Sequence, residues 1–193
     1  MNNTKNIMIV GVGGQGSLLA SRIIGNAVLL AGFDVKVSEV HGMSQRGGSV
    51  VTYVKYGEKV ASPIICRGEA DIILSFEQLE AARWLPYLKP DGVIIMSTQK
   101  INPMPVITGA VAYPDNLETK LAAQGVTVIA ADTLALAREA GNEKASNVAL
   151  IGLMSAYMGF DIDIIRRAVE MSVPPKFIDV NMKAFELGCG YKK

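Results

Sequence analysis

The chain has 193 residues, with 19 Lys and Arg against 18 Asp and Glu, a net charge of +1, one His and two Cys. That is the length of a single domain, large enough to bury roughly 70% of its unfolded surface, so neither disulfide nor metal is required for folding. About 57% of the residues are apolar when Gly is counted and Tyr is not, against roughly 45–50% in an average globular chain, and 19% are charged; this excludes a disordered protein, and the near-zero net charge excludes non-specific nucleic-acid binding.

Asn6 to Val10 reads as a short buried strand, followed by Gly11-Val12-Gly13-Gly14-Gln15-Gly16. Ser17 to Gly32 has helical periodicity, with Leu18, Leu19, Ile23, Ala27 and Leu30 along one side and Gly32 as a stop. Val35 to Val40 reads as a second strand, so the segment predicts a βαβ unit with parallel strands and a right-handed crossover. His41 to Ser49 is a polar, Gly-rich loop. Val50 to Tyr56, a turn at Tyr56-Gly57-Glu58-Lys59 and Val60 to Ile65 together predict an inserted hairpin. Asp71 to Ser75 is a strand, Glu77 to Leu88 a helix stopped at Lys89-Pro90-Asp91-Gly92, and Val93 to Ser97 a strand. Asn102-Pro103-Met104-Pro105 interrupts regular structure, and Val106 to Tyr113 fits no one element. Pro114 to Gln124 predicts a helix, Val126 to Ala130 a strand, and Leu134 to Ala140 a helix opened by Asp132-Thr133. From Asn142 the strands stop: Lys144–Tyr157, Asp161–Met171 and Lys176–Leu187 are helical. The expected fold is α/β and Rossmann-like. It has a mostly parallel sheet flanked by helices, an inserted β-hairpin and a helical C-terminal segment over about 142–193. With no Gly/Ser linker, residues 1–193 are expected to form one domain, the tail packed on the sheet.

Cys66 and Cys189 cannot make a disulfide scaffold, a four-Cys zinc site or an all-thiolate iron–sulfur cluster, and they suit a reducing cytoplasm. A single His, His41, removes most His-based metal sites; no metal site and no catalytic residue is assigned. The N-terminal apolar run is too short for a signal-peptide core. The uncharged stretch from Ala145 to Phe160 is shorter than the ~20 apolar residues a spanning helix needs. The expected setting is cytoplasmic, without membrane or nucleic-acid partners. There is no G-x-x-x-x-G-K-[ST] phosphate loop and no G-x-S-x-G nucleophile elbow. Glu77, Glu80 and Arg83 read as a charged helix face.

Gly11, Gly13 and Gly16 satisfy G-x-G-x-x-G between a strand and a helix. The first Gly permits a tight turn, the second lets an anion approach the backbone, and the third allows close helix–strand packing. Gly14 adds an unhindered position, and Gln15 offers an amide at the mouth of the helix, where exposed N–H groups favour a phosphate or carboxylate. Glu39, at the end of the second strand, suits a ribose hydroxyl in a dinucleotide site, or a pairing with Arg46. Within His41 to Ser49, Arg46 suits bidentate grip of a phosphate. His41 serves either as an acid/base group or as a hydrogen-bonded loop residue.

Gly11–Gly16 together with Glu39-Val40-His41-Gly42-Met43-Ser44-Gln45-Arg46-Gly47-Gly48-Ser49 resembles the gamma-type subunit or domain of 2-oxoacid:ferredoxin oxidoreductases, closest to the indolepyruvate branch. The resemblance spans nearly the whole chain. It includes Asp71-Ile72-Ile73-Leu74-Ser75-Phe76-Glu77 and the helical end with Asn147, Asn181 and Ala184-Phe185-Glu186-Leu187-Gly188. It implies one subunit of an enzyme that converts a 2-oxoacid and coenzyme A into an acyl-CoA and carbon dioxide, with electrons passing to ferredoxin. Thiamine diphosphate, magnesium and iron–sulfur clusters are implied on a large partner subunit; this chain has neither the Cys runs nor the Gly-Asp-Gly segment those groups need. The isolated chain is therefore expected to be inactive, and to self-associate as a homodimer if its partner-facing surface is left uncovered.

The expected cofactor-facing residues are Gly11, Gly13, Gly14, Gln15 and Gly16 with Ser44, Gln45, Arg46 and Gly47, holding part of coenzyme A or facing the partner. Other expectations are a gamma subunit of a pyruvate or 2-oxoglutarate enzyme, a stand-alone nucleotide-binding oxidoreductase domain using Glu39, and a structural subunit without ligand.

Overall fold

The computed structural model describes residues 4–39 and 48–192. Six strands form one sheet: β1 (Lys5–Val12), β2 (Asp34–Glu39), β3 (Ser49–Gly57), β4 (Ala70–Ser75), β5 (Leu88–Ser97) and β6 (Thr127–Ala131). Their order is β2-β3-β1-β4-β5-β6. β1, β4, β5 and β6 are parallel neighbours, and β3 runs antiparallel to both β1 and β2.

The helices are α1 (Ser17–Leu30), α2 (Gln78–Trp84), α3 (Met104–Ile107), α4 (Leu117–Ala122), α5 (Thr133–Ala140), α6 (Ser146–Met158), α7 (Ile162–Ser172) and α8 (Ile178–Cys189). They cover the sheet on both faces. Ile7, Ile9, Val54, Ile72, Leu74 and Ile95 pack against α1, α6, α7 and α8, including Ile23, Leu150, Val169 and Phe185. On the other face Met8, Val10, Val51, Ile73, Ile94 and Met96 meet α2 and α4 through Ala81 and Leu121. At β1 both faces are dry, which is why its sequence is a continuous apolar run rather than an alternation.

Two expectations are corrected. The first βαβ unit does not place its strands side by side: β3 lies between β1 and β2. The reason is burial. β3 is buried along most of its length and belongs inside the sheet, whereas β2, with Asp34, Lys36, Ser38 and Glu39, is half-exposed and suits an edge. The antiparallel insertion therefore pairs β3 with β2 and β1, not with residues 60–65. Those residues form no strand; Pro63 lacks the N–H a ladder needs.

Smaller differences follow the same chemistry. The helix expected over residues 77–88 ends at Trp84, then a 3₁₀ turn at Leu85–Tyr87 contains Pro86, and Leu88 already opens β5. The turn expected at residues 89–92 is thus part of β5, with an irregular register to β4. The helix expected over 114–124 shrinks to Leu117–Ala122, entered through Asn116 at φ 55°.

Candidate functional site

β1 ends where the glycine-rich turn begins, and α1 starts immediately after it. Gly14 and Gly16 hold φ of 98° and 85°, a left-handed conformation that a side chain rarely tolerates. Gly16 caps the N-terminus of α1 through its backbone alone: among the described residues no side chain caps this end, and the first turn has no acidic residue. A 14-residue helix thus presents its uncapped positive end at the C-terminal edge of the parallel strands. The amide of Gly13 donates to Gly48 O at 2.9 Å, tying the turn to the residue just before β3.

Gln15 has a different job from the one its position suggests. Its Oε1 accepts from the Val12 amide at 2.7 Å, and its Nε2 donates to Phe76 O at 2.9 Å and to Gln99 Oε1 at 2.9 Å. The side chain turns inward and ties β1 to the ends of β4 and β5. Gly11 makes room for it: a Cβ there would sit 2.8 Å from Gln15 Oε1 and 3.1 Å from Phe76 Cβ. Gly16 likewise admits Asn147 at the start of α6. Asn147 Nδ2 donates to Gly16 O at 3.2 Å, and a Cβ on Gly16 would lie 2.5 Å from that nitrogen. Among the described residues nothing lies within 4 Å of such a Cβ on Gly14, so they leave its side of the turn open.

Two cavities flank this turn. One, of about 260 Å³, lies towards β3 and is lined by Gly13, Gly14, Gly16, Ser17, Val50 and Thr52, among others. The other, of about 570 Å³, lies towards α5 and α6, where Gln99, Lys144, Ser146 and Asn147 meet Gln15 and Gly16. Both sit where the strand order diverges from β1, the usual place for a ligand in an open α/β sheet.

Glu39 does not sit beside β1, because β3 intervenes. Its Oε1 accepts from Ser21 Oγ at 2.6 Å. Glu77 and Glu80 are not a solvated face: they are 1% and 4% exposed. Glu77 caps α2 by accepting from the Glu80 amide at 2.9 Å, and its other oxygen accepts from the Ile101 amide and the Tyr113 hydroxyl. Glu80 accepts from Ser49 Oγ, from Arg83 Nε at 3.0 Å and from Trp84 Nε1 at 3.3 Å. Burial, with the Glu77 carboxylate beside it, pushes the Tyr113 hydroxyl pKa well up. The network anchors the first residue of β3 beside the glycine turn. A carboxylate at the residue before a helix, followed three positions later by Glu, was the available signal for it.

Ser44, Gln45, Arg46 and Gly47, with His41, lie outside the described residues. The described sites missed by the sequence reading are Thr52, Gln99 and Glu80. Thr52 reads as an ordinary strand residue, and Gln99 is 84 positions from the Gln15 amide it accepts.

The family model described as pyruvate ferredoxin/flavodoxin oxidoreductase matches residues 6–191. The chain is 48% identical over 188 residues to indolepyruvate oxidoreductase subunit IorB of Thermococcus kodakarensis, covering 95% of this chain and 93% of that one. It is 45% identical to the protein of the same name from Pyrococcus horikoshii, with the same coverage. Among solved structures, the gamma subunit of a keto/oxoacid ferredoxin oxidoreductase from Geobacter sulfurreducens shares the fold at a TM-score of 0.70 and 24% identity, over 95% of each chain. A 2-oxoglutarate:ferredoxin oxidoreductase from Magnetococcus marinus, solved with 2-oxoglutarate, coenzyme A and succinyl-CoA, contains the same fold at a TM-score of 0.72 and 16% identity, over 98% of this chain and 31% of that one. The match runs over nearly the whole chain, and the chain belongs to the pyruvate ferredoxin/flavodoxin oxidoreductase family.

Proposed function

We propose that this chain is the non-thiamine subunit of a 2-oxoacid:ferredoxin oxidoreductase of the indolepyruvate branch. In this reading it supports coenzyme A-dependent oxidative decarboxylation of an aryl pyruvate on a large partner subunit. The carrying observation is the end-to-end match at 38–48% identity to proteins named as IorB subunits of indolepyruvate oxidoreductases. Matches to ketoisovalerate, pyruvate/ketoisovalerate and 2-oxoglutarate subunits stand at 24–27%.

The residues present do not fit the redox and thiamine groups of such an enzyme. Two cysteines, Cys66 and Cys189, do not supply the four thiolates of a cluster, and no Gly-Asp-Gly segment occurs. We assign thiamine diphosphate, its magnesium ion and the clusters to the partner, with ferredoxin reached through the complex. The setting is cytoplasmic; no helix among the described residues is long and apolar enough to cross a membrane.

This chain's contribution is an anion seat for coenzyme A. The support is the uncapped start of α1, the open face of Gly14 and the adjoining cavities. Gly13, Gly14 and Gly16 provide the unobstructed backbone, Gly11 and Gln15 hold the turn in shape, and Ser44, Gln45, Arg46 and Gly47 are the further residues this reading assigns to the cofactor. Exposed apolar residues are consistent with an interface: Met104, Ile107 and Val111 beside the α2 network are 66%, 64% and 57% exposed.

The test is calorimetry of the co-purified two-subunit enzyme with coenzyme A. Arg46→Ala and Gly14→Asp are both expected to weaken binding. Affinity unchanged by both would remove coenzyme A from this chain and leave an assembly role.

A further inference from the structure

Thr52 stands on the α1-facing side of β3, in register with Ile9 of β1 and Glu39 of β2. It is 2% exposed, and it lines the smaller cavity together with Gly13, Gly14, Gly16 and Ser17. The other buried Ser and Thr hydroxyls among the described residues all have partners. Ser21 is bonded to Leu18 O and Glu39, Ser75 to Glu77 O, Thr133 to Ser97, Ser155 to Gly152 O and Ser172 to Ala168 O. The Thr52 hydroxyl makes no hydrogen bond to any described residue. Asn6 Oδ1 is the one sealed side-chain polar atom without a partner among the described residues, so the Thr52 oxygen, unbonded but not sealed, opens onto the cavity that the residue lines and is available to whatever fills it.

The chemistry of the walls names the class. The uncapped, positive end of α1 borders the cavity, and backbone N–H groups and a hydroxyl all donate. Such walls take an acceptor-only anion, a phosphate or a carboxylate, and on the coenzyme A reading the ligand carries phosphates and no carboxylate. The neighbouring carboxylate, Glu39, has an oxygen engaged by Ser21 at 2.6 Å. The wider cavity on the α6 side offers Lys144 and Ser146 as donors, but the polar side chains nearest the glycine turn are committed and a carboxylate stands in its wall. Gln15 and Asn147 are already bonded there, and the Glu143 carboxylate, paired with Arg138, lines it too.

We propose that Thr52 is a phosphate-binding residue: its hydroxyl and the amides that open α1 hold one phosphate group of a nucleotide-class ligand, on the β3 side of the glycine turn. The inference rests on the coenzyme A reading above and deepens it, since it selects one side of the turn and adds a residue outside the glycine motif and the Arg46 loop.

The test compares Thr52→Val, Thr52→Ser and Gly14→Asp in the co-purified enzyme, titrated with coenzyme A, 3′-dephospho-coenzyme A and pyrophosphate. Thr52→Val is expected to weaken coenzyme A about tenfold or more, the loss of one hydrogen bond to a charged acceptor, without lowering the thermal midpoint; Thr52→Ser retains affinity. If only coenzyme A is weakened and the dephospho form is not, Thr52 holds the 3′-phosphate. If both are weakened alike and pyrophosphate follows, it holds the diphosphate. Wild-type affinity in Thr52→Val alongside weak binding in Gly14→Asp would overturn the role of Thr52 and leave the turn reading standing. Wild-type affinity in both would remove the coenzyme A reading as well. A lowered midpoint with affinity retained would make the hydroxyl structural and overturn the proposal.

Discussion

Replacing Gln15 by alanine removes three hydrogen bonds at once, to the Val12 amide, Phe76 O and Gln99. Val12 and Phe76 are 8% and 4% exposed, so one backbone donor and one backbone acceptor lose their partners in a nearly dry place. Each unsatisfied group costs about 1–3 kcal/mol, and the adjoining cavity admits water that recovers part of this, so the net loss is about 2–4 kcal/mol. For a chain of this size each kcal/mol moves the melting midpoint about 2–4 °C, so Gln15→Ala is expected to melt about 5–15 °C lower. Gln15→Glu keeps an acceptor for Val12 but sets a carboxylate against Phe76 O, and should be destabilised as well. Differential scanning calorimetry of the purified chain reads both. A midpoint within about 2 °C of wild type, combined with weakened coenzyme A binding in the assembled enzyme, would mean that Gln15 faces a ligand and that the inward role is wrong.

Other predictions concern the supports of the site. Gly188→Ala would bring a Cβ to 2.0 Å from Ala149 O, across the α6–α8 contact, and the obstacle is backbone, so the helices must separate. Urea titration should show a loss of about 3 kcal/mol, and a wild-type midpoint would refute the close crossing. Glu80→Ala leaves Ser49 and Arg83 without their carboxylate and frees the indole N–H of Trp84, the only Trp in the chain. Its intrinsic emission should shift, and unchanged emission would argue against the contact. Burial pushes the Tyr56 hydroxyl pKa up to about 12. The raised folded value means that the unfolded chain ionises first. Stability is then fully present below the unfolded value near pH 10 and falls by about 1.4 kcal/mol per pH unit as pH rises towards the folded value. Tyr56→Phe should flatten this alkaline limb in denaturation curves taken at rising pH; Tyr113, shifted in the same direction, keeps a limb of the same sign.

The strand–turn–helix at residues 6–32 was legible because its signals are local: an apolar run, three spaced glycines and a periodic helix. The C-terminal helices were legible for the same reason. The position of β3 was not, because strand identity is written in nearby residues while strand order is decided by which strand has two faces to bury. β2 and β3 both read as strands, but only the burial of Val51 and Val54 against opposite layers makes β3 the inner one. Residues 60–65 show the converse, with apolar character present and Pro63 removing the ladder donor.

In the site, the glycine positions were visible and the orientation of Gln15 was not, since Phe76 and Gln99 are 61 and 84 residues away. Glu77 and Glu80 looked solvated because two carboxylates near an Arg on a short helix usually are. They are buried because Tyr113, Ile101 and Ser49 arrive from three other segments to satisfy them. Thr52 carries no sequence signal at all: its hydroxyl becomes informative only once every nearby donor and acceptor is accounted for.

The central claim is that this chain serves a thiamine-bearing partner rather than acting alone. It is tested most directly by purifying the chain by itself, its large partner subunit by itself and the two together, then measuring indolepyruvate- and coenzyme A-dependent reduction of an electron-accepting dye. The account predicts that the two subunits co-purify and that full turnover appears only in the assembled enzyme. Turnover by this chain alone, or a failure of the two to associate with full activity in the large subunit, would contradict it.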